Sequence, residues 1–316
     1  MDRKAPPHKE PKTFTEQLEI LKARNIVIKN DERAIDALRH INYYRLSGYM
    51  LPFKQSKENV YDEGTSLERI LRIYDFDHRL RNLLLSLLEH IEISARTSIA
   101  YHLAHKHGPL CYENHKLFIN LDRHQKLLEA IEKSIKDARA GHEPFIIHHD
   151  NRYDGKLPIW SLVEVLSFGT LSKLYANLAN EDKKIISKTY FGIPPLYFES
   201  WLRNLSYIRN ICAHHSRIYH HPLTHQPKLY ADDKMYNGIF ASILIAGVLC
   251  PRDRDWVAFR GGLESLVEEY EDSIDLNHIK FPPDWKDVLY GTISKRRQSA
   301  AESRKEHRKS SRSSPL

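Results

Sequence analysis

Cysteine is the first scarcity. The chain has three, Cys111, Cys212 and Cys250, far apart and in no paired spacing, which argues against a disulfide framework or a cysteine-based zinc site and fits a reducing compartment. Glycine and proline are also sparse, at 12 and 15 in 316 residues. No strand-like alternation runs beyond a few residues, so a β architecture finds no support. No Gly-rich phosphate loop and no strong internal repeat occur. The longest apolar run, from about Ile239 to Cys250, is too short to span a bilayer. The opening "MDRKAPPHKEPK" has no apolar stretch of the kind a secretory signal needs. These absences lead us to expect a soluble, cytoplasmic protein.

What is present is helical patterning. Apolar residues recur at helical spacing almost throughout, and the expected fold class is all-α. Helices are expected over 14–24 and 31–40, the second opened by Asn30 or Asp31. An aromatic-rich stretch, "INYYRLSGYMLPF", follows. Thr65 or Ser66 caps a long helix towards His107, with a possible break near Asp75. Further helices are expected over 122–140, after Pro158, over 196–220 and over 236–249, and 264–272 can add another. Three regions result: an N-terminal helical module, 1–53; a helical body, 54–294; and a basic tail, 295–316.

The net charge of +7 is unevenly placed, because the tail holds eight Lys/Arg against two Glu. The tail is Ser-rich and without apolar periodicity, so it is expected to be disordered. It reads either as a solvated tail or as a non-specific RNA tether through residues such as Lys295, Arg296 and Arg297. In the N-terminal module, Tyr43, Tyr44 and Arg45 read either as a nucleic-acid contact or as packing onto the body.

Two arginine–histidine spacings stand out. In "SYIRNICAHHSRIYHH", Arg209 is followed by Asn210 and, four intervening residues after the arginine, by His214. Upstream, Arg96 precedes His102 in "EHIEISARTSIAYHLAHKHG". Each lies in an amphipathic helix; His102 and His215 fall on the apolar stripes. At about 100° per residue, Asn210 and His214 share a face, whereas Arg209 and His214 diverge by roughly 140° and Arg96 and His102 by about 120°. A working site therefore needs a distorted helix or two motif helices side by side, from one chain or from a dimer.

The residue types suit RNA cleavage. The RNA 2′-hydroxyl is its own nucleophile, a histidine moves protons near neutral pH, and an arginine holds the phosphate and its developing charge. Asn210 can orient the imidazole or bind a phosphate oxygen. A structural reading also stands: His102 as a hydrogen-bonded core histidine, and Arg96 as the i,i+4 partner of Glu92.

A metal site is the rival reading, from His214, His215, His220, His221, His225 and the His148–Asp150 stretch. Neither histidine pair has the i,i+4 spacing of a helical zinc hydrolase, and no acidic residue lies between Ser206 and Tyr230. No metal and no cofactor is expected.

Four separated blocks, "INYYRLSGYMLPF", "IYDFDHRLRNLLLSLLEHIEISARTSIAYHLA", "LPIWSLVEVLSFGTLSKLY" and "SWLRNLSYIRNICAHHSRIY", together resemble the bacterial abortive-infection family of the AbiD/AbiF type, over about residues 14–219. That family belongs to the HEPN superfamily of helical domains, whose ribonucleases use an Arg-x4–6-His motif, usually with a polar residue after the arginine. The resemblance implies Arg209, Asn210 and His214 as catalytic residues. Arg96 and His102 would form a second motif, with Thr97 in the usual polar position's place. Glu92 and His215 would support them. It further implies an endoribonuclease acting in phage defence, paired motif helices within a chain or a homodimer, and, as in some relatives, a structured non-coding RNA that restrains a toxin. The alternative is a non-catalytic module that binds RNA or a partner.

Overall fold

The structure, a computed structural model, describes residues 10–55 and 59–313; the first nine residues, 56–58 and the end of the tail at 314–316 lie outside the described residues. Among the described residues no strand forms, only three isolated bridges, and the fold is all-α as expected. The chain opens with α1 (Phe14–Ala23), α2 (Asp31–His40) and α3 (Tyr43–Met50). Side-chain caps set these starts. Thr13 and Glu16 form a reciprocal capping box on α1, and the Asn30 and Asn42 side chains accept from the Arg33 and Tyr44 amides.

Ser66 caps α4 (Leu67–His107), whose 41 residues run to Gly108, roughly 60 Å at the helical rise. It does not break at Asp75. That carboxylate stays on the outer side and accepts from the Tyr270 hydroxyl. Next come α5 (Leu121–Ala140), α6 (Pro144–Arg152), α7 (Ile159–Val165), α8 (Phe168–Asn177) and α9 (Asn180–Ile186). The division between α7 and α8 falls at Leu166–Ser167, where the Ser167 hydroxyl accepts from the Thr170 amide, rather than at Gly169 itself.

A wide π-type turn, Ser187–Phe191, leads to α10 (Pro195–Ala213). Beyond it lie α11 (Gly238–Leu249), α12 (Asp253–Tyr270), the short α13 (Trp285–Asp287) and α14 (Ile293–Ser313). Residues 239–249 of α11 are all buried, as expected of a helix that is apolar all round. The spine is α4, which packs against α3, α7, α9, α10, α11 and α12, while α10 lies between α4 and α8. One continuous apolar cluster extends from Leu18 to Ala300. No helix among the described residues is long and apolar enough to cross a membrane.

The tail corrects an expectation. Disorder was expected from Lys295, yet α14 continues to Ser313 and docks on α11 and the π-type turn. Composition hid this because few contacts fix the helix. Ile293 and Ala300 are buried, and a Cβ at Gly192, where φ is +70°, would collide with the Ala300 carbonyl. Arg297 donates to the carbonyls of Gly247 (2.5 Å) and Cys250 (2.8 Å) and pairs with Asp253. Arg296 pairs with Asp233 at 3.0 Å and lies over the Tyr230 ring. Lys295 is exposed.

Arg297 therefore satisfies carbonyls that α11 leaves unpaired at its end. We expect Arg297→Ala to cost about 1–3 kcal/mol, the cost of stranding such groups, read as a lower urea midpoint. Lys295→Ala serves as the near-neutral comparison; equal midpoints for the two variants would refute this role for Arg297.

Candidate functional site

The site is built where α10 ends against α4. The helix stops at Ala213, short of the expected His220. His214 is the C-cap, with φ −92° and ψ 14°, and His215 takes the left-handed conformation at φ +57°. The His215 amide donates to the Cys212 carbonyl (3.1 Å) and the Ser216 amide to that of Ile211 (2.9 Å). This is the paired closure of a Schellman turn, with histidine where glycine usually stands. His215 thus leaves the apolar stripe and is exposed, a correction that follows from the early stop. His214 is exposed as well, and its amide still donates to the Asn210 carbonyl at 2.9 Å.

A buried carboxylate fixes the turn that follows. Asp77 and Arg81, one helical turn apart on α4, have side-chain exposures of 0% and 2% and form an ion pair. Asp77 also accepts from the amides of Tyr219 (2.8 Å) and Ile218 (3.1 Å) and from the Tyr49 hydroxyl (2.7 Å). Burial, and then the neighbouring Asp77 charge, push the Tyr49 hydroxyl far above its ordinary range, so it stays a donor. From α3, Arg45 donates to the His215 carbonyl and Arg217 reaches back to that of Gly48. The residues after the motif are thereby tied to both α3 and α4.

The two arginines meet on one acid. Glu92 accepts from Arg96 and lies 3.5 Å from the Arg209 Nε. Arg96 also donates to the Val163 carbonyl in the last turn of α7, so it is held at both ends. Arg209 is 40% exposed. It uses Nε alone, and its two terminal nitrogens have no partner among the described residues. Glu92, Arg96, Arg209 and Ala213 line an open cavity of about 540 Å³.

Three expected members, Asn210, His102 and His214, do not line this cavity. Asn210 lines a different groove, between α10, α5 and α8, so it and Arg209, about 100° apart on α10, face different grooves. His102 is buried and holds Asp182 of α9 at 2.7 Å; His107 and Lys106 reach the same carboxylate, each at 3.0 Å. Although burial opposes it, hydrogen bonds from His102, Lys106 and His107 hold the Asp182 carboxyl well below the usual range. His102 is thus not brought to Arg96.

The residues read as nucleic-acid contacts also divide. Tyr44 is 86% exposed, whereas Arg45, Arg296 and Arg297 are engaged in the internal contacts given above. Cys212, between the motif residues, is buried and its thiol is pushed up to about 12 by that burial, which leaves it inert at neutral pH. Among the described residues no group of three or more His, Cys, Asp or Glu is arranged to hold a metal ion.

Sequence reasoning missed Asp77, Arg81, Tyr49 and Asp182. Asp77 and Arg81 carried one signal, two charges spaced four apart within an otherwise apolar stripe. Their partners, some 140 residues away along the chain, carried none.

A family model described as "Abi-like protein" matches residues 36–220, more than half of the chain. The matched span runs from α2 through the turn that Asp77 holds. No curated protein and no solved structure matches the chain.

Two stability effects follow. Asp77→Asn leaves Arg81 buried beside a neutral group, so a loss of about 3–5 kcal/mol is expected, with faster hydrogen exchange at Ile218 and Tyr219; a loss under about 1 kcal/mol would contradict the anchor. Asp182 has its folded pKa depressed, so its contribution is present above the ordinary carboxylate value of about 4 and is lost as pH falls through the folded value. The melting-temperature gap between Asp182→Asn and the parent is therefore expected to be full at neutral pH and to shrink on acidification. A gap that widens in acid would refute this assignment.

Proposed function

The chain belongs to the Abi-like protein family, and we propose that it is a metal-independent endoribonuclease of a phage-defence system, related to the HEPN ribonucleases. The observation that carries this reading is the state of Arg209. Glu92 lies 3.5 Å from its Nε and leaves the terminal nitrogens as an open fork for a phosphate. Five residues on, His214 stands exposed at the end of the same helix.

In the reaction we assign, His214 takes the proton of the RNA 2′-hydroxyl as the 2′-oxygen bonds to phosphorus. Arg209 holds the non-bridging oxygens while charge builds on them. The bond from phosphorus to the 5′-oxygen breaks, and that oxygen takes a proton from an acid. The products are a 2′,3′-cyclic phosphate and a 5′-hydroxyl. Because Arg209 and His214 diverge on their helix, we propose a homodimer in which the partner's His214 supplies the acid. Arg96 acts by keeping Glu92 in place, and His102 by anchoring α9. A structured non-coding RNA is the proposed restraint on the enzyme.

A second reading is a module that binds RNA or a partner without cutting it. It is favoured by the engagement of Arg96 at both ends and by the separation of Asn210 from Arg209 into different grooves.

The deciding experiment incubates the full chain with RNA in EDTA, beside Arg209→Ala and His214→Ala. We expect cutting by the parent, cyclic-phosphate ends, and a loss of about 100-fold or more in each variant. Equal cutting by all three proteins would sink the site assignment, and activity abolished by EDTA would sink the metal-independent mechanism. Binding with no cutting in any of them would leave the second reading.

A further inference from the structure

The groove between α10, α5 and α8 has a composition that the nuclease site does not use. Arg123 and Lys126 of α5, Lys173 of α8 and Arg203 of α10 line it, in a cavity of about 710 Å³. All four side chains are exposed, and among the described residues none of them pairs with a carboxylate. Elsewhere basic side chains are commonly neutralised, as Arg139 is by Asp150 and Lys106 by Asp182. The one acid lining the groove, Glu199, is itself held by Lys183 at 2.8 Å. Four uncompensated cations thus converge from three helices, although residues ahead of the tail carry almost no net charge. Such a site attracts a polyanion, and the attraction weakens with salt.

Two further features narrow the occupant. Tyr207 and His225 line the same groove, with ring centroids 4.6 Å apart, and provide an aromatic surface on which an unpaired base can stack. Asn210 lines it too, and its carbonyl accepts from the His214 amide. A strand lying in the groove therefore leads to the end of α10.

We propose that this groove binds the phosphate backbone of single-stranded RNA, with Arg123, Lys126, Lys173 and Arg203 on the phosphates and a base against Tyr207 and His225. From the proposed function it takes only that the polyanion is RNA. The strand then passes the C-terminal end of α10, where Arg209 and His214 stand.

The test uses the full chain and a labelled, mixed-sequence single strand of about 16 nucleotides, 2′-O-methylated so that it cannot be cut. Affinity is measured as salt is raised from about 50 to 200 mM. Lys126→Glu, Lys173→Glu and Arg203→Glu combined should weaken binding by tenfold or more and reduce the salt slope by about 2, the value for three lost phosphate contacts on a single strand. The comparison protein carries Lys29→Glu, Lys54→Glu and Lys234→Glu, all exposed positions outside the groove. Equal weakening in the two triple variants, or unchanged binding in the groove variant, would overturn the proposal. A triple Gln variant supplies the same test with a smaller expected shift should the Glu variant fail to fold. Unmodified RNA run in parallel separates the two readings. Groove-dependent binding without cutting removes the nuclease and keeps the groove. Cutting with binding indifferent to the groove changes removes the groove and keeps the nuclease.

Discussion

The buried Asp77 carboxylate is the constraint on which the candidate site rests. A carboxylate removed from water is costly unless its charge is paired and its oxygens are filled. Arg81, the Tyr49 hydroxyl and two backbone amides meet both demands. Each partner comes from a different part of the chain: the same helix, α3, and the turn after α10. Satisfying one carboxylate therefore specifies where three segments lie relative to one another. The turn it captures begins directly after Arg209, Asn210 and His214, so the geometry of the motif is inherited from Asp77 rather than from the motif.

The early end of α10 gives the motif its form. Had the helix continued to His220, His214 would sit inside a regular turn and His215 against the core. Instead His215 accepts a left-handed backbone, a conformation costing roughly 1–2 kcal/mol for a residue other than glycine. The two Schellman hydrogen bonds and the guanidinium of Arg45 on its carbonyl hold it there. His214 is thereby placed at a helix end open to solvent, while Arg209 faces α4 and Asn210 the groove with α5 and α8. This divergence was legible from helical spacing alone, because it follows from 100° per residue. Which surfaces the three residues would meet was not, since that depends on α5, α8 and α4.

Much of the fold was legible for local reasons. Asn30 and Ser66 are caps whose hydrogen bonds reach three residues ahead, and they mark helix starts in sequence as they do in space. The uniformly apolar α11 announced its own burial. What failed was long-range. The Arg96–Glu92 pair, four apart, was readable, but the third member, Arg209, joins it across more than a hundred residues. His102 sat on an apolar stripe, and its hydrogen-bonded core position was one of two open readings. Its partner Asp182 lies 80 residues on, with nothing local to indicate it.

Charge shows the same limit more sharply. Counting residues puts nearly all of the excess positive charge in the tail, and so puts nucleic-acid contact there. Yet a charge attracts a polyanion only to the degree that it is not already compensated. Arg296 and Arg297 are spent on Asp233, Asp253 and the carbonyl end of α11. Arg123, Lys126, Lys173 and Arg203, scattered over some 80 residues of near-neutral sequence, converge where the one lining acid, Glu199, is already held by Lys183. The relevant quantity is the local sum of unpaired charges, which is a property of packing. Folding thus creates, on the flank of α10 and beside the helix end where the chemistry is assigned, a positive field that counting residues along the chain does not show.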